Sequence, residues 1–310
     1  MAVSESYDFS KNRNEFLTTA LRKAKLIGAG ETPASDLMDI AILECNLLMK
    51  EWQNLNYGLW LHRRATLFLE SGTAKYKLGT TGDHCSADIV ETTLSASAAA
   101  GASSITVSSI AGIVDNDVIG ILLDDNTLQF TTVNGTPTGY TVALDAALTG
   151  AATSGKKVYA YTSKIPRPNK VISARYKQGN YEYDLIRMTE TEYDRNPYKT
   201  MAGVPGQFYY SPQMPDGEFY VFPVPNIESA VITLTLQFPV SDLDSATDDL
   251  EIPSNWYTAL LYHLAIRLAD GSGMQISQIT AQTASAALQA ARYDDTEGSG
   301  VQFTVNYDYR

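Results

Sequence analysis

Residues 91–163 constrain the fold more than any other part of the chain. This segment is rich in Ala, Ser, Thr and Gly and contains no Trp, His, Met or Arg. Five β-type runs recur in it at short intervals, namely SITVSSI, DVIGILL, LQFTTV, YTVALDAAL and KVYAYTS. Turn groups such as Asp115–Asn116 and Asn134–Gly135 separate these runs. Short strands at regular spacing predict a compact β-sandwich or β-barrel, and the recurring large apolar residues disfavour a disordered Ala/Ser linker.

The two ends of the chain have helical patterns. Residues 12–27 and 35–55 predict two helices joined by the short GAGETP connection. The buried side of the second helix is expected to contain Leu37, Ile40, Ala41, Leu43, Leu47, Leu48 and Trp52. After Pro253, an amphipathic pattern predicts a helix that ends at Gly271, and an Ala-rich helix is expected at 274–293.

Between residue 164 and these last helices, the chain predicts strands of a mixed or antiparallel sheet. The strand runs are VISARYKQ, YEYDLIRM, FYYSPQ, GEFYVFPVP and ITLTLQFPV. Within them, residues 203–225 predict a hairpin that turns at Pro215–Asp216–Gly217. We therefore predict an α+β fold with an α-helical core, an antiparallel or mixed β-sheet and an inserted small all-β domain. The predicted boundaries are 1–90 and 164–299 for the discontinuous core, 91–163 for the inserted β-domain and 300–310 for an extended C-terminal arm.

The net charge of the chain disfavours a DNA-binding protein. Its formal net charge is −12, whereas a phosphate-binding surface is basic. The region of the first helix is the exception, with the basic residues Lys11, Arg13, Arg22, Lys23 and Lys25. This region is either a solvated face or a surface that contacts an acidic partner or passing DNA. No apolar run has the length of a membrane span, the N-terminus lacks the apolar core of a secretion signal, and Cys45 and Cys85 are expected to be reduced thiols.

No catalytic residue, cofactor or metal site is predicted. GAATSGKK at 150–157 resembles a phosphate-binding loop, but Lys157 stands where Ser or Thr should hold magnesium. DLDSATDDLE lacks the Gly and Glu of a calcium-binding loop, because Thr247 and Pro253 occupy those positions. The three histidines and two cysteines have no metal-ligand spacing. Paired carboxylates for glycoside hydrolysis stay open, since their separation is spatial.

The order of several segments outside 91–163 is similar to that of a known family. In chain order they are EWQNLNYGLW, ATLFLESGTAKYKLG, IPRPNKVISARY, TETEYDRNPYKTMAGVPGQFYYSPQ, GEFYVFPVPN, LTLQFPVSDL and IPSNWYTALLYHLAIRLA. Over residues 12–84 and 165–293 this order resembles the head-to-tail adaptor proteins of short-tailed bacteriophages, the family of the tail accessory factor of Salmonella phage P22. Compact adaptors of this type are shorter, so residues 91–163 depart from the family pattern, and a fibre or nozzle contact is expected there.

The resemblance implies a non-enzymatic structural protein of the virion, assembled in the cytoplasm of the bacterial host. It implies a dodecameric ring that binds the portal protein and connects it to the tail nozzle or fibres. The ring would form part of the exit channel for double-stranded DNA. No sequence-specific DNA binding, membrane contact or cofactor is expected. The resemblance also implies an α-helical adaptor core and a C-terminal arm that docks on the portal. The arm residues are Val301, Phe303, Val305, Tyr307, Tyr309 and Arg310. Two alternatives stay open, a virion-associated peptidoglycan hydrolase and a carbohydrate- or receptor-binding module led by 91–163.

Overall fold

Residues 11–55 and 59–294 are described by a computed structural model. Their helices are α1 (Arg13–Lys23), α2 (Ser35–Asn54), α3 (Glu190–Asp194), α4 (Ser254–Gly271) and α5 (Gln278–Asp294), with a 3-10 turn at Leu59–Leu61. Their strands are β1 (His62–Phe68), β2 (Lys75–Leu78), β3 (Cys85–Ser86), β4 (Val90–Thr93), β5 (Ser104–Thr106), β6 (Val118–Leu122), β7 (Leu128–Thr132), β8 (Thr141–Ala143), β9 (Lys157–Tyr161), β10 (Lys170–Gln178), β11 (Tyr181–Asp184), β12 (Ile186–Arg187), β13 (Ala202–Gly203), β14 (Gln207–Ser211), β15 (Gly217–Phe222), β16 (Val224–Pro225) and β17 (Val231–Gln237).

The described residues divide into two compact units. The helical unit comprises the residues up to Leu61 and from Val240 onward, and it contains α1, α2, α4 and α5. The β unit, His62–Pro239, contains α3 and all seventeen strands of the described chain.

The helices of the helical unit form where the sequence predicts them. The side chain of Asn12 accepts a hydrogen bond of 2.9 Å from the backbone N–H of Glu15, which caps the start of α1. Helix α4 begins directly after Pro253 and ends at Gly271, as predicted. Helix α1 ends at Lys23, short of the predicted Ile27, because Lys25 has a φ of 63° and leaves the right-handed helical region.

Two sheets of the β unit pack face to face as a β-sandwich. The five-stranded sheet has the order β11-β10-β17-β1-β3, and the four-stranded sheet has the order β12-β14-β15-β2. Their inner faces share one core, which contains Leu67 and Leu234 from the first sheet and Phe208 and Phe219 from the second. Strands β14 and β15 pair antiparallel, which confirms the hairpin predicted at 203–225.

Strands β4 to β9 form a module within the β unit. Strands β4, β9, β6 and β7 make a four-stranded antiparallel sheet, while β5 and β8 pair with each other. The module has its own core of buried aliphatic side chains, which includes Leu94, Ile105, Val107, Ile119, Ile121, Val133, Val142 and Val158. This aliphatic core is therefore separate from that of the sandwich, whereas Tyr159 and Tyr161 of the module are buried in a cluster with Phe68 of β1.

A group of aromatic side chains joins the module to the five-stranded sheet. Phe68 of β1 contacts Phe130 and Tyr159 of the module edge-on, with ring centroids 5.3 and 5.0 Å apart. His84 stacks on Phe130 at 3.6 Å, and its Nδ1 lies 2.5 Å from the hydroxyl of Tyr161. We call these five side chains the junction cluster. They give the module a packed contact with the sandwich in addition to its two chain connections.

The predicted fold class is wrong. The described residues form seventeen strands in five sheets and five helices, so the protein is mostly β-sheet rather than an α-helical adaptor core with a small inserted β-domain. Residues 164–239, which the prediction assigns to that core, belong to the β unit. The physical reason is that strands pair over long sequence distances, as β1 does with β17, whereas helical periodicity is a local signal.

Candidate assembly surface on the second helix

One face of α2 packs into the core of the helical unit. Ala41, Cys45, Leu48 and Trp52 are buried on this face. They are three or four residues apart, which places them on one side of the helix. The ring of Trp52 contacts that of His263 on α4 edge-on, at a centroid distance of 5.5 Å. This face holds α2 in the helical unit.

The opposite face of α2 is also apolar, but it is exposed. Ile40, Leu43 and Leu47 are 54%, 58% and 48% exposed, respectively. Their spacing places them in one line along the helix, and we call these three side chains the α2 stripe. The prediction that they lie on the buried side is therefore wrong, because apolar spacing alone does not identify which face the other helices cover. Large apolar side chains that are exposed side by side form a patch typical of contact surfaces, so the α2 stripe is a surface suited to another molecule.

Acidic side chains accompany the α2 stripe. Asp36 lies one turn before the stripe and Asp39 directly precedes Ile40; both are exposed and form no ion pair within the described residues. Glu44 and Glu51 both face Arg267 of α4, with Glu44 Oε2 3.8 Å from the guanidinium and Glu51 closer to it. The single positive charge of Arg267 therefore offsets part of the negative charge of these two glutamates, whereas Asp36 and Asp39 have no such partner within the described residues.

The predicted basic residues near α1 lie at the surface, and most of them make bonds within the helical unit. The pairs are Lys11 with Glu15 at 3.1 Å, Arg13 with the carbonyl oxygens of Leu243 and Asp244 at 3.4 and 2.8 Å, Arg22 with the carbonyl of Glu31 at 3.5 Å, and Lys23 with the hydroxyl of Tyr262 at 3.0 Å. Lys25 follows the end of α1 and makes no such bond among the described residues. The contact of this surface with a partner or with DNA stays a prediction.

The other predicted motifs are accounted for by local bonds or lie outside the described residues. In GAATSGKK, Lys156 Nζ is 3.7 Å from Asp124 and Lys157 Nζ is 2.5 Å from Glu91, so each lysine has a carboxylate beside it. No group of His, Cys, Asp or Glu within residues 11–55 and 59–294 could hold a metal ion. The portal-docking arm, 300–310, lies outside the described residues.

The two cysteines are buried, and neither is in a disulfide. Burial raises the pKa of the Cys45 thiol to about 12. Burial, with a smaller effect of the Asp83 carboxylate, also raises the pKa of the Cys85 thiol. Both thiols are therefore neutral near pH 7, whereas a nucleophilic cysteine reacts as the thiolate.

His84 of the junction cluster makes the stability of the β unit depend on pH. Burial, assisted by the positive charge of Lys164, lowers the pKa of His84 to about 4, whereas an unfolded histidine has a pKa of about 6.5. As the pH falls from about 6.5 to about 4, the unfolded chain binds a proton that the folded chain does not. The free energy of unfolding should therefore fall over this window, by about 2 kcal/mol after allowance for solvent screening.

The measurement is urea unfolding of the β unit at several pH values, compared with His84→Gln. The variant lacks the ionisable ring, so its free energy of unfolding should fall less steeply between pH 6.5 and 4. The difference between the two slopes should correspond to about one proton taken up on unfolding. Equal slopes for the two proteins would show that His84 is not held neutral in the folded state.

Comparison with known proteins shows no family for this chain. Its sequence matches no family model and no curated protein. Within the described residues, no helix is both long and apolar enough to cross a membrane. The function is therefore inferred from the residues and their geometry.

Proposed function

We propose that the protein is a structural component of a phage virion, a head-to-tail adaptor whose copies assemble into a ring below the portal. The observation that carries the proposal is the α2 stripe, an exposed apolar face opposite to the face that packs in the core. Covering the stripe removes three large aliphatic side chains from water, which favours association.

In a head-to-tail ring, each copy uses one face to contact the copy before it and a different face to contact the copy after it. The ring closes when the rotation between neighbours is fixed at the right angle. The α2 stripe, with Asp36 and Asp39 beside it, is one such face and carries negative charge. Arg22 and Lys23 at the end of α1 are exposed and give a second face of positive charge. In the proposed ring these two faces meet between neighbouring copies, since opposite charges align the copies and suppress other pairings.

The partners in this proposal come from the resemblance to the adaptor family. They are the portal protein on one side and the tail nozzle or fibres on the other, with twelve copies in the ring. The net charge of −12 supports a role beside passing DNA, because an acidic surface does not retain phosphates. Catalysis is not part of the proposal.

Leu43→Asp is expected to weaken ring assembly at least about tenfold, because an unpaired carboxylate is costly in an apolar contact. The measurement is mass photometry of the purified protein mixed with the portal protein of the same virus, together with negative-stain electron microscopy. Ile279→Asp is the matched control, since it adds the same charge at an exposed isoleucine on another helix of the same unit.

The expected result is a ring of twelve copies on the portal for the wild type and for Ile279→Asp, and its loss for Leu43→Asp. If Leu43→Asp assembles as the wild type does, the α2 stripe is not the contact between copies. If the wild-type protein binds no portal, the adaptor proposal is wrong.

A further inference from the structure

A polar cleft lies where the module meets the outer face of the five-stranded sheet. Its volume is about 150 Å³. The main lining residues are Thr66, Thr233 and Ser229 beside Glu91, Lys157, Tyr159 and Lys177. Clefts between modules are common places for small ligands. This cleft belongs to the β unit, and an inference from it does not rest on the proposed ring.

Two threonine hydroxyl groups at the floor of the cleft make no hydrogen bond within the part of the chain that the structure describes. Thr66 on β1 and Thr233 on β17 are directly opposite in the antiparallel register, so their side chains are neighbours on one face of the sheet. Both are half-buried, and neither hydroxyl bonds to another described residue. Ile89 and Val231 add apolar surface to the lining. The floor can therefore bond to the hydroxyls of a ligand and contact its C–H groups.

The charged residues of the cleft favour an anionic ligand. Lys157 Nζ is 2.5 Å from Glu91 Oε1, so these two charges balance each other. Lys177 is exposed and has no ion-pair partner among the described residues. Two lysines against one glutamate make the cleft cationic, in a chain whose net charge is −12. A positive cleft on an acidic protein concentrates anions locally.

We infer that the cleft binds a pyranose sugar that carries a carboxylate, such as a uronic acid, either free or as a residue of a polymer. The cleft, with a volume of about 150 Å³, has room for about one sugar ring. The hydroxyls of the sugar bond to Thr66 and Thr233, and its carboxylate pairs with the ammonium of Lys177. This combination of hydroxyl, apolar and cationic groups distinguishes an acidic sugar from a neutral one.

The test is a titration of the full-length protein with sodium glucuronate, followed by saturation-transfer NMR, with glucose as the matched neutral sugar. Glucuronate is expected to bind at least about tenfold more tightly than glucose, because charge-assisted hydrogen bonds are roughly twice as strong as neutral ones. Lys177→Met should remove this preference. Lys77→Met, at an exposed lysine of β2 on the other sheet, should keep it.

Two further measurements sharpen the result. A glucuronate tetramer, titrated in parallel, identifies the source of the sugar: tighter binding of the tetramer assigns a polymer, and equal binding assigns the free sugar. Thr66→Val keeps the shape of the side chain and should weaken the binding of both monosaccharides.

Equal affinity for glucose and glucuronate, an unchanged preference in Lys177→Met, or no binding of any probe would overturn the inference.

Discussion

Trp256→Ala is expected to lower the free energy of unfolding of the helical unit by about 3–5 kcal/mol. Trp256 on α4 is 1% exposed, and its ring centroid lies 5.5 Å from that of Trp52 and 5.0 Å from that of Trp60. Removing the indole takes a partner from both rings and leaves a cavity that the helices can fill only in part. Domains are typically stable by about 5–15 kcal/mol, so the expected loss is a large fraction of the total.

The tryptophans themselves make this measurement selective. All three, at positions 52, 60 and 256, lie in the helical unit, so their fluorescence follows the unfolding of that unit alone. The experiment is a urea titration of the free protein, in which Trp52 and Trp60 remain as reporters in the variant. Leu43→Ala is the control, because it shortens an exposed side chain of the α2 stripe and should change the stability by less than about 0.5 kcal/mol. An unchanged midpoint for Trp256→Ala would contradict the packing around α4.

The helices could be predicted from the sequence because their signals are local. The apolar spacing after Pro253 predicts α4 to its last residue, and the predicted range 35–55 matches α2 closely, whereas Ser35, which its residue type suggests as the N-cap, is the first helical residue and Ala34 is the N-cap. Each signal lies within a few residues of the hydrogen bonds that it describes. The end of α1 is the exception, because the left-handed φ of Lys25 has no signature in a residue that is not glycine.

The balance between sheet and helix could not be predicted in the same way. Alternating residues show that a strand exists, but they do not show which strand is its partner. Strand β1 pairs with β17, which follows only after the whole module and the β10–β16 segment. The size of each sheet depends on such distant pairings, and the order of strands in the sequence does not determine which strands pair.

The two candidate sites show a further limit of sequence reasoning. Ile40 and Leu43 satisfy helical spacing as well as Leu48 does, and only the positions of α1 and α4 decide which face of α2 is covered. The polar cleft has no sequence signal, because Thr66 and Thr233 belong to strands that are far apart in the chain. Periodicity identifies apolar and alternating positions, whereas exposure depends on the packed neighbours.

Phe68→Ala is expected to lower the free energy of unfolding of the β unit by about 3–5 kcal/mol. Phe68 is 2% exposed and contacts both Phe130 and Tyr159 in the junction cluster. Its removal opens a cavity between two cores that are otherwise separate, that of the module and that of the sandwich. We therefore also expect a single unfolding transition in the wild type to become two in the variant, because the packing that couples the two cores is lost.

The measurement is urea unfolding followed by near-ultraviolet circular dichroism of the tyrosines, with limited trypsin digestion at Lys164 as a second readout. Lys164 lies just after β9, so a loosened junction should be cut there faster. Tyr181→Ala, at an exposed aromatic residue of the same unit, is the control and should change the stability by less than about 0.5 kcal/mol. If Phe68→Ala unfolds at the wild-type midpoint in one transition, the junction cluster does not couple the module to the sandwich.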